Sequence, residues 1–261
     1  MNGKNSVEVI WRKRATRALA LVFLLGILIS TTGLCSAAEV WSDNFDDCNC
    51  EGWTIDSCSA ADGTLRSLST GGFACRESSI TEGTWSFDLE LKEYVSGPEL
   101  GFEMGAVTPT VFFMSTHPEE TPWYFYSVYS TLVYTQTGTK PILEIRKNNA
   151  NGGGAFTTWV KLASYDLEED DFGWKHIDVA RTAGGQITVW LNGTMVMQAV
   201  DNEISTSEYF VFMANEDMAI DNIVLDDVPR FAGITVELLA VGAVVSLVIV
   251  ASILWVWRRR G

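Results

Sequence analysis

The chain has 261 residues with 33 acidic and 18 basic side chains, a net charge of −15. Residues 39–236 hold 31 of the acids and 10 of the bases, a net charge of −21, which repels nucleic acid and anionic lipid surfaces. Such a surface suits divalent cations, cationic partners or a salty medium, or acts as a solvated coat that keeps an outward-facing domain soluble.

Near the start, Arg12, Lys13, Arg14 and Arg17 precede a short apolar stretch, residues 18–29, and then the small residues Ser36, Ala37 and Ala38. A charged flank, a short apolar core and a small-residue exit predict a secretory signal over residues 1–38. The alternative is an uncleaved signal anchor.

Four cysteines follow: Cys48, Cys50, Cys58 and Cys75. An even count in an oxidising compartment predicts two disulfides, with three pairings open. Direct bridging of Cys48 to Cys50 is disfavoured by their closeness in sequence. A zinc site is the alternative, but paired Cys-x-x-Cys knuckles and nearby histidines are missing.

From residue 40 to 227 no amphipathic helix-period stretch appears. Short segments rich in Val, Ile, Phe, Tyr, Trp and Thr recur between Gly, Asn and Asp turns, which predicts strands. The expected strands are residues 84–94, 100–104, 110–115, 124–135, 142–147, 157–164, 174–181, 186–191, 194–200, 209–214 and 219–225. Trp85, Phe87, Leu89 and Leu91 alternate with Ser86, Asp88, Glu90 and Lys92, giving one dry and one wet face. Strands at this spacing predict an all-β, antiparallel β-sandwich over residues 39–228. The glycine-rich loop 148–155 is expected to be mobile, and the acidic run 168–171 a solvated turn.

Two hairpins can be registered. Asn192-Gly193 predicts a type I′ turn, in which both central residues take positive φ. Upstream, pairing Val179 with Ile187 and Ile177 with Val189 puts all apolar residues on one face. Trp174, His176, Asp178, Thr188 and Trp190 then share the other, with His176 opposite Trp190 and with Met195 and Met197 on the Trp190 side.

The segments WKHIDVAR (174–181), GQITVWLNG (185–193) and AIDNIVL (219–225), with the opening WSDNFDD (41–47) and GWT (52–54), resemble concanavalin A-like lectin/glucanase domains. Laminin G-like and family 16 glycosidase-related modules are among them. The resemblance implies a jelly-roll of two antiparallel sheets, one concave, where many members bind glycans. It also implies a structural Ca²⁺ between the first and last strands, with Asp43 or Asp46 near Asp221. Calcium prefers such oxygen ligands. The alternative for Asp221 is a carboxylate bonded to backbone N–H groups of a neighbouring strand, since a buried charge needs a partner.

Family 16 glycosidases carry Glu-x-Asp-x-(x)-Glu on one strand. Here Asp88, Glu90 and Glu93 stand in another order, and Glu93 needs a bulge to join the face of the other two. A Ser/His/Asp hydrolase built on His117 or His176 lacks the Gly-x-Ser-x-Gly elbow. A non-enzyme is therefore expected. Glycan binding needs flat aromatic faces beside a few polar side chains. Two clusters qualify: Trp174, His176, Asp178, Thr188 and Trp190, and Trp123, Tyr124, Tyr126 and Tyr129. The alternative is that both sets of rings are core. Asn192-Gly-Thr194 is an N-glycosylation pattern, although the turn alone explains Asn-Gly.

A linker over residues 229–235 contains Pro229. The apolar run 238–257, about the length needed to cross a bilayer, precedes Arg258, Arg259 and Arg260. It predicts a C-terminal transmembrane helix over residues 236–257 with a cytoplasmic tail at 258–261 and the β-domain outside. With ITVELL (234–239) leading in, this end is similar to the anchors of archaeal surface proteins. Expected partners are an extracellular glycan or surface protein, and membrane lipid through the helix; nucleic acid is not one. No cofactor is required beyond the Ca²⁺ considered above.

Overall fold

In the computed structural model, residues 39–92, 109–116, 123–135, 138–148 and 159–229 are described, the side chains of 132–139 excepted. The expected signal segment, the strand at 100–104, Glu93, His117, the glycine-rich loop, most of the linker, the membrane helix and the tail lie outside the described residues. Among the described residues, no helix is long and apolar enough to cross a membrane.

The described residues form fifteen strands. They are β1 (Glu39–Asp43), β2 (Thr54–Asp56), β3 (Cys58–Ala61), β4 (Thr64–Ser67), β5 (Gly72–Glu77), β6 (Gly83–Leu91), β7 (Thr110–Ser115) and β8 (Phe125–Thr135). Then follow β9 (Gly138–Asn148), β10 (Trp159–Asp166), β11 (Gly173–Arg181), β12 (Gln186–Leu191), β13 (Thr194–Val200), β14 (Tyr209–Ala214) and β15 (Ala219–Asp226). A 3₁₀ turn, Glu169–Asp171, stands at the expected acidic turn.

All strand pairings are antiparallel. One sheet runs β13-β12-β11-β6-β15-β4-β3, with β1 added on β15; the other runs β10-β9-β8-β7-β14-β5-β2. This is the expected sandwich. The core lies between the sheets, where Trp85, Phe87 and Leu89 of β6, Tyr126 and Val128 of β8 and Phe210 and Phe212 of β14 are fully buried. The period-two pattern of β6 is the cause: its apolar set faces inward, and its polar set lies on the outer face of the eight-stranded sheet.

Two details of the β11–β12–β13 meander depart from the expected register. Val179 pairs with Val189 and Ile177 with Leu191, a slip of two residues that keeps both faces. The expected pairing would leave a single residue to turn. The observed loop closes instead through Thr182 N–H to Gln186 O at 3.0 Å, with Gly185 at φ +73°. Asp178, rather than His176, therefore stands opposite Trp190. A bulge between Val189 and Trp190 turns Met197 into the core opposite Val189, while Met195 stays beside Trp190. The Asn192-Gly193 turn forms as expected, with φ of +49° and +77°.

The expected disulfides are absent among the described residues. Parity explains part of this. Cys58 packs in the main core, whereas Cys75 belongs to an apolar cluster on the other side of the seven-stranded sheet with Phe112, Trp123 and Phe125. Burial, then the neighbouring Cys50, pushes the Cys58 thiol up to about 12. Cys50 is raised mainly by burial, and Cys48 is exposed.

Candidate functional site

The outer face of the eight-stranded sheet gathers a row of polar side chains from neighbouring strands. β6 supplies Ser86, Asp88 and Glu90; β11 supplies Trp174, His176 and Asp178; and their register sets His176 beside Asp88 and Asp178 beside Ser86. His176 Nδ1 lies 2.7 Å from Asp88 Oδ1 and Nε2 lies 3.4 Å from Asp178 Oδ1. Ser86 Oγ donates to Asp178, fixing that carboxylate. Asp178, then Asp88, hold the imidazole pKa up at about 9 against the opposing effect of burial.

Two consequences follow. Both ring nitrogens face carboxylates, so at neutral pH His176 is an imidazolium with no lone pair to act as a base. Ser86 bonds to Asp178 rather than to a histidine, so no activated serine is formed.

β15 adds an unforeseen element. A bulge between Asp221 and Val224 puts Asn222 at φ +48°, a conformation asparagine tolerates. Simple alternation along β15 would set Asp221 on one face with Ile223 and Leu225; with the bulge, Ile223 and Leu225 are core while Asp221 pairs with Asp88. Asn222 Nδ2 donates to Asp88 Oδ2 at 2.8 Å and to Asp221 Oδ2 at 3.2 Å. Burial first, offset by the Asn222 N–H, and then the charges of Asp88, Asp46 and Asp43 raise the Asp221 pKa. Further along, Arg66 Nη1 lies 3.4 Å from Glu90 Oε2, with Lys92 Nζ at 3.8 Å from the same oxygen.

Asn222 also lines an open cavity of about 680 Å³ beside β1, walled by Ser42, Asp43, Asn44, Asp47, Glu51 and Arg76 among others. Asp43 is not a spare ligand there. Its Oδ1 accepts Phe45 N–H, and its Oδ2 accepts Trp53 Nε1–H at 2.9 Å and Arg76 at 3.1 Å. The Arg76 guanidinium in turn lies 4.4 Å from the centre of the Trp41 ring. Asp46 accepts from Asn44. The carboxylates considered for calcium thus feel one another's charge, but both oxygens of Asp43 and of Asp221 and one of Asp46 accept from protein donors. Among the described residues, no group of three or more His, Cys, Asp or Glu is placed to hold a metal.

The expected ring clusters fare differently. Trp174 is 44 % exposed beside Glu90 and His176, whereas Trp190 is buried. The tyrosine-rich set is divided by strand parity. Tyr124 and Tyr126 pack against the main core, while Trp123 and Tyr129 lie on the outer side of the seven-stranded sheet. There Trp123 is buried, donating Nε1–H to Ser115 Oγ at 2.7 Å, and Arg146 covers the Tyr129 ring at 3.8 Å. These four rings form no joint ligand platform. Asn192 is exposed, and its Oδ1 accepts the His176 N–H at 3.0 Å.

No curated protein sequence matches the chain. Among solved structures, the Emp46p carbohydrate recognition domain aligns with a TM-score of 0.53 at 9 % identity, over 75 % of this chain and 100 % of that one. The carbohydrate-binding module CBM66 of Bacillus subtilis (TM-score 0.48, 14 % identity, 66 % of this chain and 93 % of that one) is similar. So is a Bacillus licheniformis β-glucanase (TM-score 0.47, 13 % identity, 75 % and 100 %). At such identities the likeness concerns the fold alone. A family model described as the 3-keto-alpha-glucoside-1,2-lyase-like domain matches residues 40–225. That span runs from the first paired strand to the last, so the whole sandwich is accounted for, and the chain belongs to the 3-keto-alpha-glucoside-1,2-lyase-like domain family.

Proposed function

We propose that the sandwich is a saccharide-recognition domain, non-catalytic, whose ligand lies on the outer face of the eight-stranded sheet. The observation that carries this reading is the exposed Trp174 indole next to side chains held in place: Asp88, Glu90, His176 and Asp178. An indole face stacks on pyranose C–H groups, while oriented carboxylates and an imidazolium accept from and donate to hydroxyls. The cavity reached through Asn222 extends the same polar surface. The test is glycan-array or calorimetric binding with the native chain and Trp174→Ala. Binding that falls at least about fivefold in the variant supports the reading, in line with the loss of one stacked ring, worth ~1 kcal/mol or more. Equal binding by both proteins, or none by either, removes it.

The family description motivates a second reading, elimination across C1 and C2 of a 3-keto-glucoside. Asp221 is the observation in its favour, because a carboxyl with a raised pKa beside Asp88 is suited to taking the acidic C2 proton. Release of the aglycone from a 3-keto-glucoside, lost in Asp221→Asn, would establish it.

The domain's setting is also proposed: an ectodomain secreted by the 1–38 segment and held by the 236–257 helix, with the tail cytoplasmic. The apolar run ahead of Arg258–Arg260 supports it. Failure of alkaline carbonate to strip the chain from membranes is the expected result.

A further inference from the structure

Lys147 breaks the pattern of β9. Leu143 and Ile145 point into the core, and Lys147, two residues on, follows them inward with a side chain 6 % exposed. A buried ammonium needs a partner. It has one in Asp201, the first residue after β13, with a side chain 10 % exposed and Oδ2 in contact with Lys147 Nζ. Glu203 Oε2 lies 2.9 Å from the same nitrogen, and its side chain is open to solvent. The second oxygen of Asp201, Oδ1, accepts from the Tyr126 hydroxyl and from Glu203 N–H at 3.0 Å. Tyr126 is fixed in turn, because its hydroxyl accepts Ile204 N–H at 3.2 Å and Arg181 lies over its ring.

An amine touching one carboxyl oxygen, two donors on the other and a second carboxylate on the amine are the parts required for condensation. We propose that Lys147 and Asp201 are joined by an intramolecular isopeptide bond, formed with Glu203 as the proton carrier. Glu203 takes a proton from Nζ, and the freed lone pair attacks Cγ of Asp201. The carbonyl electrons move onto Oδ1, held as an oxyanion by Tyr126 O–H and Glu203 N–H. Glu203 returns its proton to Oδ2, a second Nζ proton follows, and Oδ2 leaves as water. An ammonium and a carboxylate become one amide and one water, with no oxidant, metal or co-reactant.

Burial opposes the ionised forms of both partners. Their mutual hydrogen bonds outweigh it, raising the Lys147 pKa and lowering that of Asp201. The pair therefore rests ionised, and condensation is a slow, single event after folding. The product bridges β9 of one sheet to the strand end of β13 in the other, across 54 residues of chain.

Tryptic peptide mapping of the purified full chain tests this. The expected result is loss of cleavage after Lys147 and a branched peptide joining the Lys147 and Asp201 segments, lighter than their sum by one water. In Glu203→Gln, which keeps a neutral hydrogen-bonding side chain, the two segments are recovered unlinked. Separate, unmodified Lys147 and Asp201 peptides from the native chain overturn the bond. An undiminished branched peptide in Glu203→Gln overturns the role of Glu203.

Discussion

His176 offers a quantitative handle, because the chain has only two histidines and its resonance can be assigned by substitution. Its folded pKa of about 9 exceeds the reference 6.5, so the folded state gains a proton relative to the unfolded one. The resulting stabilisation is fully present below pH 6.5 and is lost as pH rises through about 9. Taken whole, that difference is about 3 kcal/mol at ~1.4 kcal/mol per tenfold change. The side chain is 46 % exposed, and solvent screening at such a site leaves about 1 kcal/mol. Urea unfolding of the native chain and of His176→Gln should therefore differ by ~1 kcal/mol at pH 6 and converge near pH 9.5. Proton NMR of His176 should show a midpoint well above that of a free imidazole. Asp178→Asn should lower it most, since Asp178 contributes the largest upward push, although Asp88 is nearer. A His176 midpoint near 6.5, or stability curves that stay parallel from pH 6 to 9.5, would refute the assignment of His176 as a doubly held imidazolium.

Gly185→Ala should destabilise by at least ~1–3 kcal/mol in chemical denaturation, because φ is +73° and a Cβ would meet Asn202 Oδ1 at 1.9 Å. Tyr126→Phe removes a donor from Asp201 and an acceptor from Ile204 N–H, and should cost ~1–3 kcal/mol with native far-UV dichroism kept. Adding calcium or a chelator should leave the melting temperature unchanged; a rise of several degrees with calcium would show that Asp43, Asp46 and Asp221 exchange their protein donors for the ion.

Long strands were legible because their faces differ chemically. β6 alternates dry and wet residues, and β7, β12, β13 and β14 carry continuous β-formers bounded by turn residues. The early strands β2–β5 were not, since segments such as Thr54–Asp56 and Cys58–Ala61 are short and poor in large apolar side chains. Register failed where a turn or bulge inserts a residue: at the β11–β12 loop, at Trp190 and at Asn222. The Asn222 bulge is the costliest of these, because it decides which face receives Asp221. The tyrosine set was divided by the same alternation that predicted its strand, so residue parity in 123–129 already held the answer. Lys147 was visible by parity as well, an inward lysine after Leu143 and Ile145, but its partner Asp201 is fixed only by the packing of the two sheets.

The two polar sites have opposite physical character, and this separates their roles. On the sheet face, the pairs are partly solvated, so breaking one leaves groups that water can satisfy, and exchange for ligand hydroxyls costs little. At Lys147 the ammonium and the Asp201 carboxylate are enclosed, with Glu203 alone open to solvent, so losing Asp201 leaves a buried ammonium with only an exposed partner. A surface that trades its hydrogen bonds suits reversible recognition, whereas an enclosed pair suits a permanent link. Substitutions on the face, such as Glu90→Gln, should therefore change ligand affinity with little effect on unfolding. Asp201→Ala should behave in the reverse manner, lowering stability by ~3–5 kcal/mol while leaving the face intact. A variant set in which affinity and stability fall together at both places would mean that the two sites are one cooperative network.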